Sequence, residues 1–365
     1  MNTGVAVEAL TVTLGAFRLD KIAFSLSRGT ILVILGPNGS GKSVTLETIA
    51  GFHRADSGRV LIDGHDVTAL PPERRNVGFV VQNFGLFPHL SVEQNITIGR
   101  RNNGDIPVPE QAKLPRGDTA ALLGYFGVAH LARRMPSALS SGEKQRVALA
   151  RAVAGAPQLF LFDEPFSALD TQTRAGLRDE LLSFLRDLSI PAIFVTHDYS
   201  DAMALADAVI VLRDGTAVQS GAPSEIFRKP ANPFVARFVG VENVLIGRVT
   251  EYSDGIVLVA IGDRVLRVAA RCGAPSRERE LAVAIRAEDV SIVATGVAAS
   301  DQAANRLSGR IAEVRPLGAL VMVTIDCGFP LKAYLLAPQA RTLRLAGGSP
   351  VVVEISAEAI HLMRK

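Results

Sequence analysis

Glycine, lysine and hydroxyl fall at phosphate-binding spacing in Gly36-Pro37-Asn38-Gly39-Ser40-Gly41-Lys42-Ser43. Glycines let a backbone wrap closely around phosphate with its N–H groups turned inward. Lys42 stands where an ammonium reaches the outer phosphates of a nucleoside triphosphate, and Ser43 where a hydroxyl ligates Mg²⁺. A second, acidic element closes an apolar run, Leu159-Phe160-Leu161-Phe162-Asp163-Glu164. Asp163 is suited to holding the Mg²⁺ shell, and Glu164 to orienting the water that attacks the terminal phosphate. The chemistry is phosphoryl transfer, which asks a protein mostly for positioning and charge neutralisation.

Such residues need a strand before the loop and a helix after it. Ile31 to Leu35 supplies the strand, and the pattern from Ser43 to Ile49 supplies the helix, whose positive end faces the loop. Further short apolar runs, Thr30 to Leu35, Val77 to Val81, Leu159 to Phe162, Ala192 to Thr196 and Ala208 to Leu212, alternate with amphipathic stretches. Runs of that length read as a mainly parallel sheet buried on both faces. The spacing therefore predicts an α/β P-loop NTPase nucleotide-binding domain over 1–235, with Arg100 to Asp118 as a polar surface insertion.

Beyond Pro230-Ala-Asn-Pro233 the pattern changes to short alternating strands punctuated by Gly and Pro. A second, all-β domain is expected over 241–365. It carries an internal repeat: Asn243-Val-Leu-Ile-Gly-Arg-Val-Thr-Glu251 matches Asn305-Arg-Leu-Ser-Gly-Arg-Ile-Ala-Glu313. Ile285-Arg-Ala-Glu-Asp-Val290 and Ile355-Ser-Ala-Glu-Ala-Ile360 close the two copies, giving units near 243–292 and 305–362. Two related barrel-like units packed as a pair are the simplest reading.

Composition narrows the class. The 365 residues are 48% hydrophobic and 21% charged, enough for large cores and too few charges for a disordered chain. A net charge of +3 offers no field for a dedicated nucleic-acid binder, so phosphate binding is local and no nucleic-acid partner is expected. Cys272 and Cys327, far apart and without His in metal-like spacing, indicate neither a disulfide framework nor a zinc site, and fit a reducing compartment. The N-terminus lacks a basic stretch before an apolar run, and no apolar segment reaches the ~18–20 residues that span a bilayer. Work at a membrane would go through a partner.

The order of further motifs resembles that of the ATP-binding-cassette transporter ATPases over nearly the whole chain. Leu139-Ser-Ser-Gly-Glu-Lys-Gln-Arg-Val-Ala-Leu-Ala-Arg151 resembles the family's signature, followed by Ser167-Ala-Leu-Asp170 and Val195-Thr-His197-Asp198; Gln82, in Val81-Gln-Asn-Phe-Gly-Leu-Phe-Pro-His-Leu90, matches its glutamine loop. The resemblance implies a nucleotide-binding domain with a helical subdomain. It implies ATP and Mg²⁺ as cofactors, with nucleotide held by Gly36, Pro37, Asn38, Gly39, Ser40, Gly41, Lys42, Ser43 and Val44. Catalysis would fall to Glu164, His197, Gln82 and Lys42, and Mg²⁺ to Ser43, Gln82 and Asp163. It also implies a head-to-tail dimer in which Ser140 and Gly142 of one copy close on the γ-phosphate of the other, with Asp170 communicating across the interface. Ser141 and Glu143 depart from the family's usual Gly and Gln; a hydroxyl at Ser141 keeps helix-capping character. Phe17 is the candidate for adenine stacking, and a core role for it stays open.

Pro71 to Gln82 and Leu86 to Ile96 resemble prokaryotic importers that carry a C-terminal regulatory domain. In that group the glutamine loop meets a membrane subunit, a solute-binding protein delivers cargo outside, and the ATPase lies on the cytoplasmic face. Phe84, Leu86 and Phe87 are expected to form the apolar knob. Gly309 to Leu331 and Val353 to Leu362 resemble the regulatory domain of molybdate and tungstate importers, with sulfate, iron(III), polyamine or sugar import as alternative cargoes. Of that domain's oxyanion ligands, the first stretch here reads Gln302-Ala-Ala304-Asn305 and the second Ser356-Ala-Glu358. Without Arg or Lys a dianion is poorly compensated, so oxyanion control is expected to be weak or lost. A cassette ATPase acting on RNA or ribosomes, and a sensor that binds ATP without turnover, are the readings from other classes.

Overall fold

A computed structural model describes residues 3–99, 118–167, 171–269, 280–293 and 305–365. Most of the proposed insertion at 100–118, as well as Asp170, Cys272, Gln302 and Ala304, therefore lies outside the described residues. The chain divides into units Met1–Ser224 and Glu225–Lys365, so the division falls ahead of the boundary at 235 read from sequence.

In the first unit a six-stranded sheet runs in the order Thr216–Gly221, Ala208–Arg213, Ile31–Leu35, Ala192–Thr196, Leu159–Asp163, Val77–Val80. All neighbours are parallel except the first pair. Strand pleating sorts its side chains. Leu159, Leu161, Ile193 and Val195 join a buried cluster with Leu46 and Ile49 of the helix Lys42–Ala50. Phe160, Phe162 and Phe194 alternate with them, and the Phe162 and Phe194 rings stack at 4.3 Å between centroids. Asp163 is in phase with Leu159 and Leu161, so the pleat aims it at the start of that helix. A four-stranded antiparallel sheet, Phe17–Ser27, Thr3–Leu14, Ser57–Ile62, His65–Asp66, adds to the same core and was not read from the sequence. The helices Val92–Gly99 and Thr119–Tyr125 pack against Ser141–Ala154, forming the helical part.

The second unit holds two five-stranded antiparallel sheets. One is ordered Arg264–Ala269, Ile256–Ile261, Asn243–Ser253, Glu280–Ile285, Ile360–Arg364. The other is ordered Ser291–Val293, Pro350–Ile355, Asn305–Leu317, Leu320–Asp326, Pro330–Leu336. Each repeat thus builds four strands of its own sheet and lends its fifth to the other. The repeated glycines have a packing cause: a Cβ on Gly247 would lie 2.4 Å from Val259 Cγ1, and one on Gly309 2.7 Å from Cys327 Sγ. Asn243 and Asn305, 3% and 4% exposed, act as matched staples. Asn243 donates to the carbonyls of Ile285 and Lys332 and accepts from Lys332 N–H at 2.6 Å. Asn305 donates to the carbonyls of Arg267 and Ile355 and accepts from Arg267 N–H, again at 2.6 Å. Each fastens its own repeat to a strand of the other.

Candidate functional site

Four parallel strands end at one edge of the sheet, and their registers bring the sequence-predicted residues together. Leu35 pairs with Thr196, Asp163 with Val195, and Val80 with Phe162. The chain therefore leaves this edge at Gly36, at Gln82, at Asp163 and Glu164, and at His197, and carboxyl edges of such sheets are where ligands bind.

The loop from Gly36 to Gly41 is built for close approach. Gly39 and Gly41 have φ of 78° and 100°, and a Cβ on Gly41 would lie 2.7 Å from Phe17 Cζ. Phe17, half-buried, accordingly lies against the loop and also touches the core, so the geometry accommodates both of its expected roles. Ser40 Oγ is buried without a hydrogen-bond partner. The helix Lys42–Ala50 has no side-chain cap and no acid in its first turn, so its leading N–H groups are not answered by a side-chain anion. Lys42, 6% exposed, donates to the carbonyls of Gly36 at 2.9 Å and Pro37 at 3.1 Å. Burial pulls its pKa down, against the charges of Glu164 and Asp163. An uncapped helix start, an unpartnered hydroxyl and a buried ammonium together fit a multiply charged phosphate.

Ser43 Oγ donates to Asp163 Oδ1 at 3.2 Å, joining the loop to the acidic strand. Burial raises the Asp163 pKa, and Glu164 and Glu47 add to the rise, while Ser43 and Lys42 oppose it. One hydroxyl beside one carboxylate is the donor set with which proteins hold Mg²⁺ when phosphates supply other ligands. Glu164 has φ of 45°, a left-handed conformation that costs a non-glycine residue roughly 1–2 kcal/mol. That turn sets Glu164 Oε1 3.0 Å from His197 Nδ1. The sequence named both residues but gave no sign that they meet.

Gln82 is exposed in the turn after Val77–Val80. Asn83, Phe84 and Gly85 follow it with φ of 61°, 66° and 56°. Phe84 is only 6% exposed, which corrects the expected knob: Phe87, at 40%, is its exposed member and Leu86 is half-buried. The loop is pinned from two helices. Asn95, fully buried, accepts from Phe87 N–H and donates to the carbonyls of Phe87, Leu90 and Ser91. Arg151 donates to the carbonyls of Gly85 at 2.6 Å and Phe84 at 3.0 Å. In the sequence Arg151 closes the signature stretch with no role attached to it; its position at the far end of that helix was the available signal.

Ser140 is the N-cap of the helix Ser141–Ala154 and forms a capping box with Glu143. Ser140 N–H donates to Glu143 Oε2 at 2.7 Å and its hydroxyl to the same oxygen at 2.8 Å. These bonds hold the Glu143 carboxyl below its ordinary range. The capping hydroxyl is thus that of Ser140, and Ser141 is the first helical residue, which corrects the expectation for Ser141. No hydrogen bond among the described residues joins Ser140 or Gly142 to the phosphate loop within one chain.

The family model described as ABC transporter matches residues 19–167, and that of the TOBE domain matches 283–363. The molybdate/tungstate import ATP-binding protein WtpC of Pyrococcus horikoshii is 38% identical over 357 residues, covering 98% of this chain and 99% of that one. The sulfate/thiosulfate import ATP-binding protein CysA of Thermosynechococcus vestitus is 36% identical over 358 residues, covering 96% of each. A crystal structure of a nucleotide-free ATP-binding cassette from an ABC transporter superposes with a TM-score of 0.56 at 24% identity, covering 65% of this chain and 98% of that one, and shares the fold.

Proposed function

The chain belongs to the ABC transporter ATPases as an ATP-binding subunit of an importer; on that premise we propose that Lys42, Ser43, Asp163, Glu164 and His197 are its hydrolytic centre and that molybdate or tungstate is its cargo. The observation that carries the first half is the convergence of two bonded pairs, Ser43 with Asp163 and Glu164 with His197, at one sheet edge.

In this reading the loop N–H groups from Gly36 to Val44 and the Lys42 ammonium hold the β- and γ-phosphates, and Phe17 supports the adenine. Ser43 and Asp163, with Gln82, would hold Mg²⁺, which would supply positive charge against the phosphates. Glu164 accepts a hydrogen bond from the attacking water and takes its proton as the γ-phosphoryl group departs; His197 fixes the Glu164 carboxylate and faces the γ-phosphate. Ser140 and Gly142 reach the γ-phosphate of a second copy, and Asp170 serves that interface.

The cargo reading rests on near-full-length similarity to a molybdate/tungstate relative; sulfate is the second reading, since the sulfate/thiosulfate relative is nearly as similar. Partners in this account are membrane permease subunits at the cytoplasmic face, met through Phe87, and an extracytoplasmic solute-binding protein. The second unit exerts little oxyanion control: the Asn305 amide is taken up by Arg267 and Ile355, and the Ser356 hydroxyl accepts from Glu358 N–H. ATP hydrolysis by the complex with its membrane subunits and binding protein, measured with one solute at a time, tests the cargo. Stimulation by molybdate or tungstate alone is expected; stimulation only by sulfate, iron(III), a polyamine or a sugar overturns it.

A further inference from the structure

Arg151 has a contact set that packing alone does not explain. It is half-buried near the C-terminal end of the helix Ser141–Ala154, and among the described residues no carboxylate pairs with it. Its two terminal nitrogens each take one carbonyl of the glutamine loop, and its Cζ lies 5.6 Å from the centre of the Phe87 ring. All three contacts fall on residues 84–87, directly after Gln82. Asn83, Phe84 and Gly85 run left-handed in succession, and at Phe84, a bulky L-residue, that conformation persists where something holds it. The planar fork of an arginine can meet two neighbouring carbonyls at once, whereas an ammonium is a point donor.

We propose that Arg151 is a positioning residue for Gln82: it locks the loop that carries Gln82 to the helix that begins at Ser140, so that one rigid element sets both. A straight helix of 14 residues spans about 21 Å, long enough to link the two ends without a flexible joint. This rests on the hydrolytic reading for its kinetic consequence, but not for the clamp itself.

The test compares the full-length wild type with Arg151→Lys and Arg151→Gln by two independent measurements. Hydrogen exchange reads the clamp directly. Amides of residues 83–90 should exchange at least about tenfold faster in Arg151→Gln, with an intermediate rise in Arg151→Lys, while the Ser141–Ala154 and Lys42–Ala50 helices keep their wild-type protection. Steady-state ATP hydrolysis should show kcat lowered about tenfold in Arg151→Gln and less in Arg151→Lys, with KM for ATP within twofold. Unchanged exchange in 83–90, or a rise spread equally over both helices, overturns the proposal, as does a loss carried by KM. Arg151→Lys, which keeps the charge and most of the stem, guards against a variant that does not fold. A wild type that fails to hydrolyse ATP would instead contradict the hydrolytic reading, and the exchange result would still decide the clamp.

Discussion

The two units place their buried polar groups to opposite ends. In the first, Lys42, Ser40, Asp163 and Glu164 gather at a sheet edge with capacity to spare: one hydroxyl has no partner, a carboxyl pKa is raised by burial, and a left-handed glutamate is held against a histidine. In the second, Asn243 and Asn305 are as buried as Lys42 and Ser40, yet every bond they make goes to the chain's own backbone. At the sheet edge unspent polar capacity lies beside a loop shaped for a ligand, whereas in the two asparagines spent capacity makes a joint. Asn305, the last residue of the first stretch compared with the oxyanion ligands, is accordingly a joint here.

The difference can be broken most sharply at Lys42. Lys42→Ala should weaken nucleotide binding by roughly 10- to 100-fold, the scale of charge-assisted bonds, with the melting temperature little changed; equilibrium titration with a fluorescent ATP analogue reads it. Asn305→Ala and Asn243→Ala should do the reverse. Each strips a buried staple and leaves peptide groups unanswered, so denaturant unfolding should show a loss of about 2–4 kcal/mol with nucleotide affinity intact. Equal destabilisation by the two would confirm that the repeats are interlocked symmetrically.

Asp163 sharpens the same contrast from within the site. Its raised pKa means that its ionised form is disfavoured in the folded apo protein, so the stability deficit is present at neutral pH and is relieved as pH falls through the folded pKa. Asp163→Asn should therefore raise the apo melting temperature while abolishing Mg²⁺-dependent turnover. The smallest expected effect is at Glu143. Its carboxylate holds the Ser140 N–H and hydroxyl, which in the proposed dimer would face the γ-phosphate of a second copy, and Glu143→Gln keeps the capping geometry while removing the competing charge. A gain of about two- to fivefold in apparent ATP affinity of the dimer is expected, within the range of a charge at a helix start.

Much of the site was legible because its residues are contiguous in the chain. The loop from Gly36 to Ser43 and the pair Asp163-Glu164 carry their chemistry in local spacing, and apolar runs of four to six residues sufficed to place the parallel strands behind them. What was not legible depends on register or on distant pairing. The contact of Glu164 with His197 requires knowing that Asp163 pairs with Val195, and the Arg151 clamp requires a loop path through three left-handed residues that no local pattern announces. The repeat was visible from Asn243 and Asn305, but the exchange of fifth strands was not, since the five residues Ile360–Arg364 carry nothing local that names the sheet they join. Burial also decided what pattern left open: Phe84 looked like part of an exposed knob and is inside.

The most direct test of the central claim, that Glu164 is poised by His197 to activate water while other groups bind the nucleotide, is Glu164→Gln in the full-length chain, measured as both ATP turnover and retained ATP. Turnover should fall by about 10²- to 10⁴-fold, with ATP retained unhydrolysed in a species of twice the chain's mass. Turnover within a few fold of wild type would contradict it.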